Sequence, residues 1–476
     1  MCATKPLLCC RSDILPLLAV AAMLHLTLAV GIYAAGRAAL FPGLIDGNAV
    51  LVPLASDSHS YRSEAAALAG TLTNEGVSAW AVHPAPFHIK LISLSFALFR
   101  PLFGFSLLSV EPLNLTVYLI ILCLVFKLGE EVGNRRAGMM AAVAVAVWPS
   151  FLLHTTQFLK DPLYIANALA IILIVSTWLT RTYQWRTALF NGVVGGLLIV
   201  VLGLIRDGSG MMALSVVSLG GALLIIRQLK ERRVLAGNLF SATLMFVVMA
   251  ACLIHGASRF QGLKPVSVSH FTMESSTRWP ERVRTGQDIP SLQATVDSDE
   301  GQPITSRLRR RADLNAARIG RLRHGFTHDY PAAGSTVDGH VQFANIFDLI
   351  SYLPRALALG LFAPFPQMWF ASGVYVGAAG RLLGGLETLI LYVIEFLALS
   401  SLWQTRRRLT AWLLISITII GVAILGLVIA NIGALYRMRY PFVLLLIILG
   451  SQSVERFISH RRRLRSSLPN TGAHLP

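Results

Sequence analysis

The residues best suited to chemistry lie where apolar runs end. The segment after the first apolar run reads ASDSHSYRSEA and contains Asp57, His59, Tyr61, Arg62 and Glu64 within eight positions. A carboxylate in such a setting can accept a proton or orient a hydroxyl group. An ordinary solvated loop explains the same spacing equally well, so the position of the segment in the fold must decide between the two interpretations.

A second acid follows another apolar run, in the segment TTQFLKDPLY. Asp161 precedes a proline that suits the first turn of a helix, so a helix N-cap alone would explain this acid. Lys160 is the only basic residue between Arg136 and Arg181. A lone ammonium at the membrane is costly unless it meets an anion. Lys160 and Asp161 are therefore candidates for the same site as the first acidic segment.

Three arginines complete the set of candidate side chains. Arg206 ends the apolar run GGLLIVVLGLI, and Arg437 and Arg439 lie in YRMRYPFVLLL. Pairing of Arg206 with Asp207 and snorkelling of the other two to the interface are the plainer alternatives. Together with Lys160 these arginines match a phosphate, to which arginine offers bidentate geometry and lysine a point charge. A phosphate at the lipid boundary indicates a lipid phosphate.

The amino-acid composition predicts which kind of secondary structure positions these residues. Of 476 residues, 54% are apolar and 14% charged, and the mean hydropathy is +0.62. An ordinary soluble domain is about 25% charged, so most of this chain must face lipid. The composition excludes a soluble enzyme, a disordered tail protein and a secreted disulfide scaffold. It predicts an all-α, polytopic transmembrane helical bundle.

The apolar runs predict about ten spans, each near the roughly 20 residues that one helical crossing needs. The predicted spans are 14–36, 112–126, 137–159, 162–180, 187–205, 208–226, 234–255, 388–405, 409–430 and 440–455. Glu395 lies within one of them, where a structural hydrogen-bonding role is the safer interpretation. The cysteines lie in the N-terminus or in apolar runs, so they imply no disulfide framework.

The net charge of +17 indicates how the chain is oriented in the membrane. The basic residues are spread over short loops between spans, which the positive-inside rule assigns to the cytoplasm together with both termini. This assignment requires Phe87–Gly104 and Ala356–Gly380 not to complete a crossing, so both are predicted to be interfacial or re-entrant. Asp57, Lys160 and the three arginines then share the outer face. A nucleic-acid partner is not needed to explain the charge.

One region interrupts the apolar pattern and predicts a large outer loop. We predict an N-terminal transmembrane catalytic module at 1–255, an extracytoplasmic loop region at 256–346 and a C-terminal transmembrane module at 347–476. Within the loop region, ITSRLRRRADLNAARIGRLRHGF has apolar residues at near-helical spacing, which indicates an amphipathic helix beside the membrane. The DSDE segment at 297–300 has the spacing of some metal-dependent sugar-nucleotide enzymes, although a solvated loop explains it better.

The order of these segments resembles polytopic glycosyltransferases of the GT-C superfamily, such as the dolichyl-phosphate-mannose protein mannosyltransferases and the bacterial aminoarabinose and Rgt-type transferases. The likeness rests on the acidic loop ASDSHSYRSEA, on HPAPFHIKLISLSFALFRPLFG and on GNRRAGMMAAVAVAVWPSFLLHTTQFLKDPLY. LGLIRDGSGMMAL and YRMRYPFVLLL complete the order. The likeness covers about residues 14–233 and the last hundred residues.

The resemblance implies roles for individual residues. Asp57 would be the catalytic carboxylate of the first loop, and Asp161 would be the acid of the second. Lys160, Arg206, Arg437 and Arg439 would bind substrate, together with His59, Tyr61, Glu64 and His83. The first loop of the family often has two adjacent acids, whereas Ser58 and His59 follow Asp57 here. Whether a divalent metal takes part is therefore left open.

The resemblance implies a sugar transferase that uses a polyprenyl-phosphate-linked donor, embedded in membrane lipids, and an extracytoplasmic acceptor that is a glycan, a lipid or a protein. We expect it in the inner or plasma membrane, with its active site on the extracytoplasmic side. Two alternatives remain: a transporter or flippase of lipid-linked sugars, and a non-catalytic assembly protein for envelope polysaccharide. Transporters are usually built from repeats with sites at the midplane, and the sequence contains no evident repeat.

Overall fold

The computed structural model describes residues 13–41, 43–51, 57–206, 209–260, 303–328, 335–370 and 377–466. Within these ranges the chain folds into seventeen α-helices, and β-structure is limited to two isolated bridges. The first eleven helices are α1 (Leu15–Arg37), α2 (Ser58–Asn74), α3 (Val77–Val82), α4 (Phe87–Phe103), α5 (Leu107–Val132), α6 (Arg135–Ala146), α7 (Pro149–Thr155), α8 (Asp161–Trp178), α9 (Trp185–Ile205), α10 (Ser209–Glu231) and α11 (Ala236–Phe260). The others are α12 (Ile304–His328), α13 (Ile346–Phe362), α14 (Gly377–Gln404), α15 (Leu409–Val428), α16 (Ile432–Met438) and α17 (Tyr440–Ser466).

The all-α, multi-pass prediction is confirmed. Among the described residues, eight helices are long and apolar enough to cross a membrane: α1, α5, α8, α9, α10, α14, α15 and α17. The apolar helix that begins at Ala236 falls in the seventh predicted segment, 234–255, and packs along α9. The protein is therefore a multi-pass membrane protein.

The predicted span 137–159 differs from a simple crossing. It consists of α6 and α7, which meet at an angle of 70°, and the pair together would make a ninth span. The break falls at Pro149, the first residue of α7. A proline has no backbone N–H and its ring clashes with the preceding turn, so a straight helix cannot continue through it.

The two segments predicted not to cross also depart from continuous spans. The helix α4 has 17 residues, is absent from the eight candidates, and packs between α2 and α5. The segment 356–380 is not one helix, because α13 ends at Phe362 and a short 3₁₀ turn follows at Pro366–Met368.

The loops predicted to be cytoplasmic meet at one end of the bundle. Arg181 pairs with Glu131 at 2.6 Å, and Arg408 donates to the carbonyl of Val132 at 2.6 Å. These contacts join the ends of α5 and α8 with the start of α15. We call this the basic end, and the end that carries Asp57 and Arg437 the acidic end.

The helix α17 forms the centre of the bundle. Its residues from Val443 to Leu449 are all buried, and it packs against α5, α6, α8, α14 and α15. A helix that is apolar all round is stable only when neighbours surround it. Because α17 is fixed on all sides, the short helix α16 that precedes it is held at a defined place at the acidic end.

The helix predicted from ITSRLRRRADLNAARIGRLRHGF is present as α12. Its fully buried Arg323 donates to the carbonyl of Gly426 at 3.0 Å and to that of Val337 at 3.1 Å. The carbonyls near the C-terminus of α15 lack partners within their own helix, so this guanidinium both satisfies them and attaches α12 to the bundle.

Candidate functional site

Two carboxylates and two guanidiniums meet at the acidic end. Nη2 of Arg437 lies 2.7 Å from Oδ2 of Asp57, and Nε of Arg437 lies 3.1 Å from Oδ2 of Asp161. Nη1 of Arg206 lies 3.8 Å from Oδ1 of Asp161. Arg437 therefore bridges two acids that are more than one hundred positions apart in sequence. We call these four residues the carboxylate–arginine cluster.

Each member of the cluster comes from a different element. Asp57 immediately precedes α2, and the buried Ser58 beside it donates to the carbonyl of Phe158 at 3.4 Å. Arg206 follows the last residue of α9. Arg437 lies in α16, whose N-terminus is capped by the side chain of Asn431. Four chain segments thus converge, and the cluster combines both predicted transmembrane modules.

The structure gives Asp161 a contact that helix capping alone does not explain. The residue at the N-cap of α8 is Lys160, and no side-chain capping bond is made there. Asp161 is the first residue of the helix, where the positive end of the helix dipole favours a carboxylate. Its side chain is 9% exposed and faces the two arginines.

Lys160 adds a positive charge beside a cluster whose formal charges cancel. Its ammonium lies 5.7 Å from the ring centre of Tyr61, and in the described part of the chain it forms no ion pair within 4 Å. Burial lowers the pKa of Lys160, and the nearby Arg206 lowers it further. An anion at this place would favour the protonated form of Lys160, so Lys160 is suited to meet one.

The rings of Tyr61 and His88 pack together beside Lys160. Their rings meet edge to face with centres 4.8 Å apart. His88 is 97% buried, and neither ring nitrogen has a hydrogen-bond partner among the residues that the structure describes. Burial, reinforced by Lys160, lowers the pKa of His88 to about 4, so the ring is neutral near pH 7. Burial raises the pKa of Tyr61, and the nearby Asp57 raises it further, so the phenol keeps its proton.

Besides Lys160 and Tyr61, four predicted site residues lie outside the cluster. Arg439 is buried and donates to the carbonyls of Leu361 and Ala363, while its guanidinium lies 4.8 Å from the ring centre of Tyr436. His59 is exposed and lies 3.6 Å from Asp46. Glu64 and His83 are exposed. Asp207 and the DSDE segment lie outside the described residues.

A buried polar network next to the cluster was not predicted. Glu387 of α14 accepts hydrogen bonds from the backbone N–H of Ser150 at 2.7 Å and from the indole of Trp148 at 3.1 Å. The hydroxyls of Ser150 and Tyr436 also donate to Glu387. Tyr440 donates to the hydroxyl of Ser150 at 2.6 Å.

This network holds the residue adjacent to Arg437. Tyr436 is fixed through its hydroxyl to α14, and Tyr440 through its hydroxyl to α7. The sequence did contain a signal for Glu387. It is a lone acid at the start of a long apolar run that follows two glycines, and a carboxylate there is as uncommon as Glu395. Glu395 itself is buried, and its Oε1 has no hydrogen-bond partner in the described structure.

The described residues contain no group of three or more His, Cys, Asp or Glu side chains that could hold a metal ion. The two acids of the cluster instead share Arg437. The chemistry that the arrangement offers is a pair of fixed carboxylates beside several cations.

Comparison with known proteins gives two similar solved structures. No protein-family model matches the chain, and no curated protein matches it. The archaeal oligosaccharyltransferase AglB from Archaeoglobus fulgidus, solved with an inhibitory peptide and a dolichol-phosphate, is 12% identical with a TM-score of 0.48. The match covers 98% of this chain and 52% of AglB, so the chain spans about half the length of that protein.

The second similar structure is ArnT from Cupriavidus metallidurans, solved with undecaprenyl phosphate bound. It is 12% identical with a TM-score of 0.37, over 97% of this chain and 82% of ArnT. At this identity neither structure transfers a residue role to the present chain.

Proposed function

We propose that the protein is a membrane glycosyltransferase that moves a sugar from a polyprenyl-phosphate-linked donor to an extracytoplasmic acceptor. The observation that supports it most directly is the arrangement of Asp57 and Asp161 around Arg437, with the ammonium of Lys160 beside them. Carboxylates can receive the acceptor's proton, while the cations can receive a phosphate.

The reaction would proceed by attack of an acceptor hydroxyl or amine on the anomeric carbon of the sugar. The new bond forms as the bond from that carbon to the phosphate oxygen breaks, and polyprenyl phosphate leaves with the electron pair. Asp57, the more exposed of the two acids with 27% of its side chain accessible, takes the acceptor's proton. Asp161 assists by holding Arg437 and Arg206 in place.

The cations would stabilise the leaving phosphate. Lys160 is the first of these, because among the described residues it forms no ion pair within 4 Å. Arg206 follows, since its contact with Asp161 is long at 3.8 Å. Preorganised charges in a partly dehydrated site act strongly on charge that develops in the transition state. Tyr61, with its proton retained, is suited to donate a hydrogen bond to the sugar.

The proposal locates this site on the extracytoplasmic face of the inner or plasma membrane. Its support is that the loops rich in arginine meet at the opposite end of the bundle. The region 256–346 lies between the two transmembrane modules and would supply acceptor specificity.

The decisive experiment uses Asp57→Asn in the purified full-length protein, reconstituted with labelled polyprenyl-phosphate-sugar and a panel of acceptors. Removal of a proton acceptor is expected to lower transfer by about 10²–10⁴-fold. Glu75→Gln is the matched control, because Glu75 is an exposed acid just after the same helix. The three alternatives give separate outcomes: transfer of the label, translocation without bond cleavage, or neither.

Asp57 would lose its assigned role if the Asn variant, folded as judged by its thermal transition, transferred sugar at the wild-type rate. Translocation of intact donor by the wild type would overturn the transferase assignment and favour a flippase.

A further inference from the structure

The basic end of the bundle contains a cleft that the proposed transferase reaction does not use. Its volume is about 570 Å³, and it lies between the C-terminus of α14, the loop before α15 and the cytoplasmic-predicted half of α17. Four guanidiniums line it, from Arg406, Arg407, Arg408 and Arg456. We call it the arginine cleft.

The arginine cleft lacks the carboxylates that balance the opposite end. In the described part of the chain, none of the four arginines forms an ion pair with an acid within 4 Å. Arg408 donates to the carbonyl of Val132 at 2.6 Å, and Arg456 donates to the side-chain oxygen of Gln404 at 3.2 Å. The neighbouring acid Glu455 is buried and accepts from Ser459 at 2.7 Å. Four like charges so close together favour an anion between them.

Aromatic residues locate the cleft at the depth of lipid headgroups. Trp403 is 73% exposed, and Arg406 lies 5.1 Å from its ring centre. Trp412 is 42% exposed, and its indole donates to the carbonyl of Arg406 at 2.9 Å. Tryptophan is enriched where membrane meets water, because its ring is apolar and its N–H is polar.

An apolar stripe leads from the cleft toward the middle of the membrane. On α14, Phe396, Leu399 and Trp403 are 71%, 61% and 73% exposed. Their spacing of three and four residues places them on one face of the helix. A ligand with an anionic head in the cleft and an apolar tail along this stripe would satisfy both surfaces at once.

We propose that the arginine cleft binds the phosphate of an anionic glycerophospholipid, with the acyl chains along the Phe396–Leu399–Trp403 face. Arginine suits phosphate because its planar guanidinium donates two parallel hydrogen bonds. The site stands apart from the proposed transferase site and does not rest on it.

The test compares two double variants of the purified full-length protein. Arg406→Gln with Arg407→Gln removes two charges from the cleft. Arg232→Gln with Arg233→Gln removes two exposed charges from the loop between α10 and α11 at the same end. Native mass spectrometry after incubation with phosphatidylglycerol or phosphatidylcholine measures the retained lipid, and a parallel series adds inorganic phosphate as competitor.

The wild type and the Arg232/Arg233 control are expected to retain phosphatidylglycerol in preference to phosphatidylcholine. One basic residue near an anionic headgroup contributes roughly fivefold in affinity, so the cleft variant should lose about tenfold or more. Arg407→Gln alone serves if the double variant does not fold.

Equal loss in both double variants would overturn the proposal, because diffuse surface attraction would then explain retention. Displacement of phosphatidylglycerol by millimolar inorganic phosphate would also overturn it, since the cleft would then be a site for free phosphate.

Discussion

The two ends of the bundle use arginine in opposite ways. At the acidic end, Arg437 and Arg206 come from elements far apart in sequence and meet two carboxylates. At the basic end, three of the cleft's four arginines are consecutive in sequence, and within the described part of the chain none of the four forms an ion pair with an acid within 4 Å. The first arrangement requires the tertiary fold, whereas the second requires little more than one short loop.

The difference teaches how charge relates to role in this chain. A buried guanidinium between two acids fixes three side chains in one geometry, which suits catalysis. Exposed guanidiniums without acids keep their positive potential, which suits attraction of an anionic surface. We therefore expect the two ends to respond differently when an arginine is substituted or when pH and salt are changed.

The largest expected difference concerns stability. Arg437→Met would remove the cation that Asp57 and Asp161 share and leave Asp161 with only its long contact to Arg206, at 3.8 Å. Breaking a buried pair costs about 3–5 kcal/mol, and we expect the lower part of that range because Asp57 is 27% exposed. Arg407→Met, at an exposed position, should change the free energy of unfolding by less than about 0.5 kcal/mol. Thermal unfolding in one detergent measures both, and equal effects would contradict the comparison.

The next effect concerns the network that holds Tyr436 next to Arg437. In Glu387→Gln, the amide replaces one acceptor oxygen with an NH₂ group, so at least one of the four donors loses its partner. An unsatisfied buried group costs about 1–3 kcal/mol. If Glu387 positions Arg437, the variant should also lower kcat while KM for acceptor changes little. Glu75→Gln, the same chemical change at an exposed acid, serves as control.

A third prediction uses the lowered pKa of Lys160. A phosphate binds the protonated form, so donor affinity should be constant at low pH and fall as pH rises through that lowered pKa. Lys160→Arg stays charged at all accessible pH values and should keep its affinity there. Lys160→Gln should bind donor about tenfold more weakly at neutral pH, by analogy with one charged hydrogen bond. Titration with a fluorescent polyprenyl phosphate from pH 6 to 10 separates these outcomes, and parallel curves for wild type and Lys160→Arg would contradict the role.

The smallest effect is a difference in salt dependence. Exposed charges are screened over about 10 Å at 0.1 M salt, and buried pairs much less. Retention of phosphatidylglycerol in the arginine cleft should therefore weaken between 0.05 and 0.5 M NaCl, on the order of a few-fold, while the thermal transition set by Arg437 moves little. Lipid retention and melting measured on the same samples check this contrast.

The sequence predicted the bundle well because a span is a property of composition. Uncharged runs near 20 residues have few other structures open to them in lipid, and the described helices follow the predicted runs. The convergence of Asp57, Asp161, Arg206 and Arg437 follows from topology, since alternate crossings return the chain to the same face.

The sequence could not predict which way a side chain turns. Arg437 and Arg439 are two positions apart, and successive helical residues differ by about 100° in direction. The two guanidiniums therefore cannot share one face of α16, and Arg439 turns to the carbonyls at the end of α13. The roles of His88 and Glu387 could not be predicted for a related reason, since their burial depends on contacts with helices distant in sequence.

One attachment outside the membrane has a mechanical consequence. Val337 donates to the carbonyl of Ala430 at 2.8 Å, and Ile432 donates to the carbonyl of Ser335 at 3.1 Å. These bonds join the extramembrane chain to the turn that begins the helix of Arg437. A molecule that pulls on residues 335–337 must either break these two hydrogen bonds or transmit its force to Arg437. A force applied to the extramembrane segment therefore acts directly on the position of Arg437.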